Sequence, residues 1–224
     1  MRHAIEQGSP DWYKARLGIP TASNFHRIIT PTLKASDKSK LYMCRLICER
    51  LTGQSMDDQL GHIEWVERGK ELEPQAAAQF EYVEELELEP GGFVTDTDCT
   101  VGASPDRLIK GRNEAVEIKC LSMPKHMFHL LYGISPEHYA QVQGQLYVGD
   151  FDAVWFYSWH PSCPPYTEKV EPNPAWVEAF KPLLDKFVKD LENETHRALS
   201  LGSYSHVSEF STPFETAYGD SRPH

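Results

Sequence analysis

Glu117-Ile118-Lys119 is the one place in the chain where an acidic residue stands two positions before a lysine, and Ser104-Pro105-Asp106 precedes it at hairpin distance. Two carboxylates and an ammonium of this kind can hold hard divalent cations and steer a water onto a phosphodiester. A phosphodiester anion repels hydroxide and has a poor leaving group, so charge must be neutralised and a deprotonated water delivered in line. Oxygen ligands select Mg²⁺ or Mn²⁺ over zinc. In this reading Asp106 bridges two ions, Glu117 and the Ile118 carbonyl hold the nucleophile-side ion, and Lys119 orients or helps deprotonate the water. The alternative is a solvated strand face with a Glu117–Lys119 pair.

The elements that must position these groups read as β. Residues 99–103 lead into residues 106–109, residues 110–113 supply a turn, and residues 115–120 alternate. Alternation sends Val116, Ile118 and Cys120 into a core and points Glu117 and Lys119 together out of the other face. Upstream, a helix is expected over residues 62–84, on which Val66, Gly69, Glu73, Ala76 or Ala77, and Phe80 share one face. Glu73 interrupts that apolar stripe, so it either meets an arginine at the rim or joins the metal site. Pro74 predicts a kink or restart beside it.

Further helices are expected over residues 21–29, capped by Thr21 or Ser23, and over 39–51, with Leu41, Cys44, Cys48 and Leu51 as its apolar stripe. Others are expected over 124–131, 136–148 behind a Ser135 cap, and 174–198. On the helix over 136–148, Tyr139, Val142 and Leu146 face a core. The adjacent His138, Gln141 and Gln145 are either solvent-exposed or a row of neutral donors over a cleft. Residues 152–159 are apolar on both sides, as in a central strand covered by helices, with 166–170 as its edge neighbour. The pattern predicts an α/β fold with a central sheet covered by helices, which the resemblance given below implies is mixed, one domain over residues 1–200, and a tail over 201–224 that is loosely ordered or fixed by another subunit.

Composition narrows the classes. A hydrophobic fraction of 40% and an aromatic fraction of 11% are those of a globular protein. No apolar run approaches a membrane span and no signal-peptide core is seen, so a cytoplasmic protein is expected. Five cysteines without a CxxC give neither a disulfide framework nor a zinc site. His126 and His129 read as solvated. The net charge of -11 opposes a nucleic-acid partner on average, unless basic residues are confined to a cleft or channel.

Six blocks in order carry a resemblance: residues 12–18 (Trp12 to Gly18), Thr21-Ala22-Ser23, residues 69–73 (Gly69 to Glu73), Ser104-Pro105-Asp106, residues 117–120 (Glu117 to Cys120), and Ala140-Gln141-Val142-Gln143. In these the chain resembles the phage lambda exonuclease family of viral recombination nucleases, within the restriction-endonuclease-like PD-(D/E)xK superfamily. The resemblance implies a Mg²⁺-dependent processive 5′→3′ exonuclease on duplex DNA, with two ions per site and Mn²⁺ as a substitute. It further implies a homotrimeric ring around DNA, a single-strand annealing protein as partner, and a phage or prophage setting in a bacterial cell.

Carried over block by block, Asp106, Glu117 and Lys119 cut and Glu73 completes the metal environment. Arg16, Ser23, Ser104 and Gln141 bind a terminal 5′-phosphate, and Trp12 adds to the DNA-binding set. Val66 falls at an apolar wedge position, or is simply core. Lys34, beside Leu33, stands where the family uses a tracking arginine. Without the block order, Arg16 reads as an ion-pair partner and Ser23 or Ser104 as caps. The rival readings are an endonuclease or a nuclease of the RecB or CRISPR-adaptation type, and a catalytically silent DNA-binding subunit.

Overall fold

The computed structural model describes residues 1–56 and 64–202, without the side chains of residues 64–67 and Lys70. The expected tail from 203 onward lies outside the described residues. The fold opens with β1 (Arg2–His3) and α1 (Pro10–Arg16). It continues through a 3₁₀ helix (Ala22–Arg27), α2 (Ser39–Thr52), α3 (Glu64–Glu84), β2 (Leu88–Pro90), β3 (Phe93–Thr95), β4 (Gly102–Ala103), β5 (Arg107–Ile109) and β6 (Glu114–Cys120). Then come α4 (Met123–Tyr132), α5 (Pro136–Gly149), β7 (Ala153–Trp159), β8 (Tyr166–Val170) and α6 (Pro174–Ser200).

Five strands form the main sheet in the order β2-β5-β6-β7-β8, and β1-β3-β4 form a smaller antiparallel one. Only the β6–β7 pair is parallel in the main sheet, with Glu117 opposite Phe156 and Lys119 opposite Ser158. The sheet is therefore mixed, as expected. One face packs Val116, Ile118, Tyr157 and Trp159 against Ala76, Ala77 and Phe80 of α3. The other packs Ala115, Val154 and Phe156 against Val142 and Leu146 of α5. A third cluster joins the 3₁₀ helix to α2 and α6, whose Trp176, Phe180, Leu184, Phe187 and Leu191 are all buried, as the spacing predicts.

Several expectations are corrected. The segment after Thr21 is a 3₁₀ helix, and Thr21 makes no side-chain cap. The helix α1, capped by Ser9 with Pro10 in its first turn, was not anticipated. On α2 the phase differs: Leu41 is 75% exposed and both cysteines are exposed, whereas Tyr42, Leu46 and Glu49 are buried. Glu49 tolerates burial because Arg45 Nε and the backbone N–H groups of Gly18 and Met56 donate to it. Helix α3 continues through Pro74 as one helix, so it does not restart there. His126 and His129 are buried rather than solvated. His126 bonds Ser158 Oγ and the Pro164 carbonyl, and His129 bonds the Gly133 carbonyl and His138.

Candidate active site

The β5–β6 hairpin brings Asp106 beside Glu117 through the backbone. Ile118 N–H donates to Asp106 Oδ2 over 2.7 Å, across the ladder that pairs Arg107 with Val116. Asp106 is itself held from behind. Gln7 Nε2 donates to the Pro105 carbonyl at 2.8 Å, and Gly91 N–H donates to the Asp106 carbonyl at 3.3 Å. A Cβ on Gly91 would sit 1.7 Å from the Pro105 oxygen, so only glycine lets that turn close against the hairpin.

Val116 and Ile118 enter the core as the alternation requires, but the face carrying Glu117 is not open: Glu117 is 2% exposed beneath α5. Its Oε1 lies 2.5 Å from Lys119 Nζ and accepts from Gln141 Nε2 at 2.6 Å, while Oε2 accepts from Gln145 Nε2. Hence Gln141 and Gln145 are the row of neutral donors, not a solvent-exposed face. Gly144, between them and 3₁₀ residues, has no room for a Cβ, which would meet Phe25 Cδ2 at 2.4 Å. That close approach seats α5 over β6.

Charge at the site is concentrated. Burial, and then the neighbouring Glu117, push the Asp106 carboxyl well above the usual carboxylate range. Burial alone would lower the Lys119 ammonium, but Glu117 and Asp106 beside it hold its pKa above the ordinary lysine value. Lys119 is thus a cation that donates. Glu73 does meet an arginine: Arg107 Nη1 lies 2.8 Å from its Oε1, with both side chains about three-quarters covered.

A second group of residues assembles next to Asp106. Ser104 Oγ accepts from Arg16 Nη1 at 2.8 Å and from Trp12 Nε1 at 3.0 Å. The Arg16 guanidinium lies 4.2 Å from the centre of the Trp12 ring, so the indole supports it from one side. Ser23 bonds Thr21 Oγ1 and Asn24. A cleft of about 970 Å³, bordered by Trp12, Tyr13, Gln7, Asp106 and Arg107, adjoins this group. Lys34 lies on an exposed turn whose backbone is tied to Thr30. The side chain of Val66 is outside the described residues.

Three residues of the site were not singled out from the sequence as functional: Gln7, Gly91 and Arg107. The adjacent Gly91-Gly92 pair was the available signal for a close backbone approach. Arg107 followed Asp106 directly, and alternation placed it on the opposite face, next to α3.

The donors present fit a hard divalent ion. Asp106 and Glu117 are covered carboxylates that repel each other, and Asp106 has no cation as its direct partner among the contacts described. Among the described residues no three His, Cys, Asp or Glu side chains form a ready cage, because Glu117 is turned to Lys119 and Glu73 to Arg107.

A mixed sheet between helices, with Asp106, Glu117 and Lys119 together at a hairpin under α5, is a fold of the nuclease type. Residues 11–152 match the YqaJ-like viral recombinase domain, more than half of the chain, and the protein belongs to that family. Among solved structures it is similar to the alkaline exonuclease LHK-Exo from Laribacter hongkongensis, with a TM-score of 0.75 and 28% identity over 87% of this chain and all of the other. LHK-Exo in complex with dAMP matches at a TM-score of 0.74, with 29% identity over the same 87% of this chain and 100% of that one. A phage-related exonuclease from Haemophilus somnus 129PT shares the fold, at a TM-score of 0.62 and 16% identity over 79% of this chain and 96% of its own. No curated protein sequence matches the chain. Among the described residues no helix is long and apolar enough to cross a membrane.

Proposed function

We propose that this chain is a divalent-metal-dependent exonuclease that digests the 5′-phosphorylated strand of duplex DNA from its end, releasing 5′-mononucleotides. The observation that carries this reading is the Trp12–Arg16–Ser104 group beside Asp106: an arginine fork with a hydroxyl, two residues from a catalytic carboxylate. A terminal phosphate offers more oxygens and more charge than an internal one, so a fixed guanidinium and short donors select an end. Membership of the YqaJ-like family and likeness to an alkaline exonuclease support the same reading.

Asp106, Glu117 and the Ile118 carbonyl would hold Mg²⁺, or Mn²⁺ in its place, with Glu73 nearest to a second ion. When bound there, the metal neutralises the phosphodiester and acidifies a water. Lys119 donates to that water or to a phosphate oxygen and so fixes the line of attack. Gln141 and Gln145 fix Glu117 through its two oxygens, which holds one carboxylate rotamer for ligation. Arg16, Ser104 and Ser23 retain the 5′-phosphate, and Trp12 braces Arg16.

The wider proposal is 5′→3′ processive digestion within a homotrimeric ring. The 3′ single strand is left for an annealing protein in phage-type recombination, in the cytoplasm of a bacterial host. The test is digestion of linear duplex labelled at its 5′ or 3′ end, with and without 5′-phosphate, in Mg²⁺ and in EDTA. Early Mg²⁺-dependent release of the 5′ label alone, faster from phosphorylated ends, is expected. Internal fragments would assign an endonuclease, and inertness in every divalent metal a DNA-binding subunit.

A further inference from the structure

Arg107 ties together two acidic residues of the site from the side opposite Lys119. Its Nη1 lies 2.8 Å from Glu73 Oε1 and 2.7 Å from the Asp106 carbonyl oxygen, to which it donates. By register Arg107 shares a sheet face with Val116, on the α3 side, so it is interposed where Glu73 approaches the hairpin. Guanidinium remains charged at any working pH, and a pair this well covered is costly to break, because one uncompensated charge is left behind. Glu117 has its own partners in Lys119, Gln141 and Gln145. The Asp106 carboxylate has only the Ile118 N–H as a hydrogen-bond partner among the contacts described.

Resting on the metal-dependent reading above, we propose that Arg107 is a positioning residue that withholds Glu73 from metal. The free enzyme then takes one divalent ion at Asp106 and Glu117, and a second only by breaking the Glu73–Arg107 pair. The two ions bind with unequal affinity for a reason built into the residue that follows the catalytic aspartate.

Calorimetric titration of the metal-stripped full chain with Mn²⁺, without DNA, tests this. Wild type is expected to show one stronger and one much weaker site. Arg107→Met, with an unchanged thermal melt, is expected to strengthen the weaker site by about tenfold or more, the scale on which partners of metal ligands act. Arg107→Lys retains the wild-type isotherm in large part, and Arg107→Met with Glu73→Gln loses the gain. Should Arg107→Met not fold, Glu73→Gln alone is decisive: it keeps the stronger site and abolishes the weaker. An Arg107→Met isotherm superimposed on wild type, a gain that survives in the double variant, or a weaker site untouched by Glu73→Gln overturns the proposal while leaving the nuclease reading intact. Absence of Mn²⁺ binding in every variant overturns both.

Discussion

Gln141 Nε2 lies 2.6 Å from Glu117 Oε1, so a glutamine of α5 holds the buried Glu117 carboxylate of β6 directly. With Gln145 one turn further along α5, it forms a neutral clamp on both oxygens of Glu117. Uncharged donors can fix a carboxylate without cancelling the charge that a cation needs. Gln145→Ala should therefore lower cleavage about 10–100-fold and raise the Mg²⁺ concentration needed for half-maximal rate, as losses next to metal ligands do. A Mg²⁺ titration of the cleavage rate checks this; an unchanged half-point would remove Gln145 from the site.

Lys119→Ala should abolish detectable cleavage and leave DNA binding nearly unchanged, since Lys119 faces Glu117 rather than an open surface. Single-turnover cleavage alongside a mobility-shift titration separates the two effects. Retained cleavage would refute its role.

The indole of Trp12 does two things at once, stacking on Arg16 and donating to Ser104. Trp12→Phe keeps most of the first and loses the second, whereas Arg16→Ala removes the cation itself. The ratio of digestion rates on 5′-phosphate and 5′-hydroxyl ends should fall several-fold in the former and approach one in the latter. An unaltered ratio in Arg16→Ala would mean that the terminal phosphate is read elsewhere.

Gly91→Ala should destabilise the fold by about 1–3 kcal/mol, the usual cost of forcing extra atoms into a packed site, because its Cβ would collide with backbone rather than with a flexible side chain. Thermal unfolding measures this. Cleavage should fall with it, since the displaced Pro105 carries Asp106.

Burial, with Lys119 next in effect, lowers the His138 imidazole to about 3. The unfolded chain ionises this residue near its ordinary value of about 6.5, so above that pH both states are neutral and no stability depends on it. As pH falls below 6.5 the unfolded state takes up a proton that the folded state refuses, and stability is lost progressively down to about pH 3. Between pH 7.5 and pH 5 this one residue should cost up to about 2 kcal/mol. Denaturant unfolding of wild type and His138→Gln at both pH values tests it; the variant should show the smaller loss.

The sequence by itself determined the local elements with strong periodicity and the trio that they carry. Alternation over Glu114 to Cys120 placed Glu117 and Lys119 on one face, because strand side chains alternate whatever packs on them. The stripe on α6 and the Ser135 cap were legible for the same kind of local reason. What covers each face was not local. Only the tertiary structure decided that α5 lies over Glu117, that Tyr42 rather than Leu41 is the buried side of α2, and that Glu73 is taken by Arg107. Each of these depends on long-range packing and on charge partners distant in sequence, which can bury a glutamate or expose a leucine against the preference of its own segment.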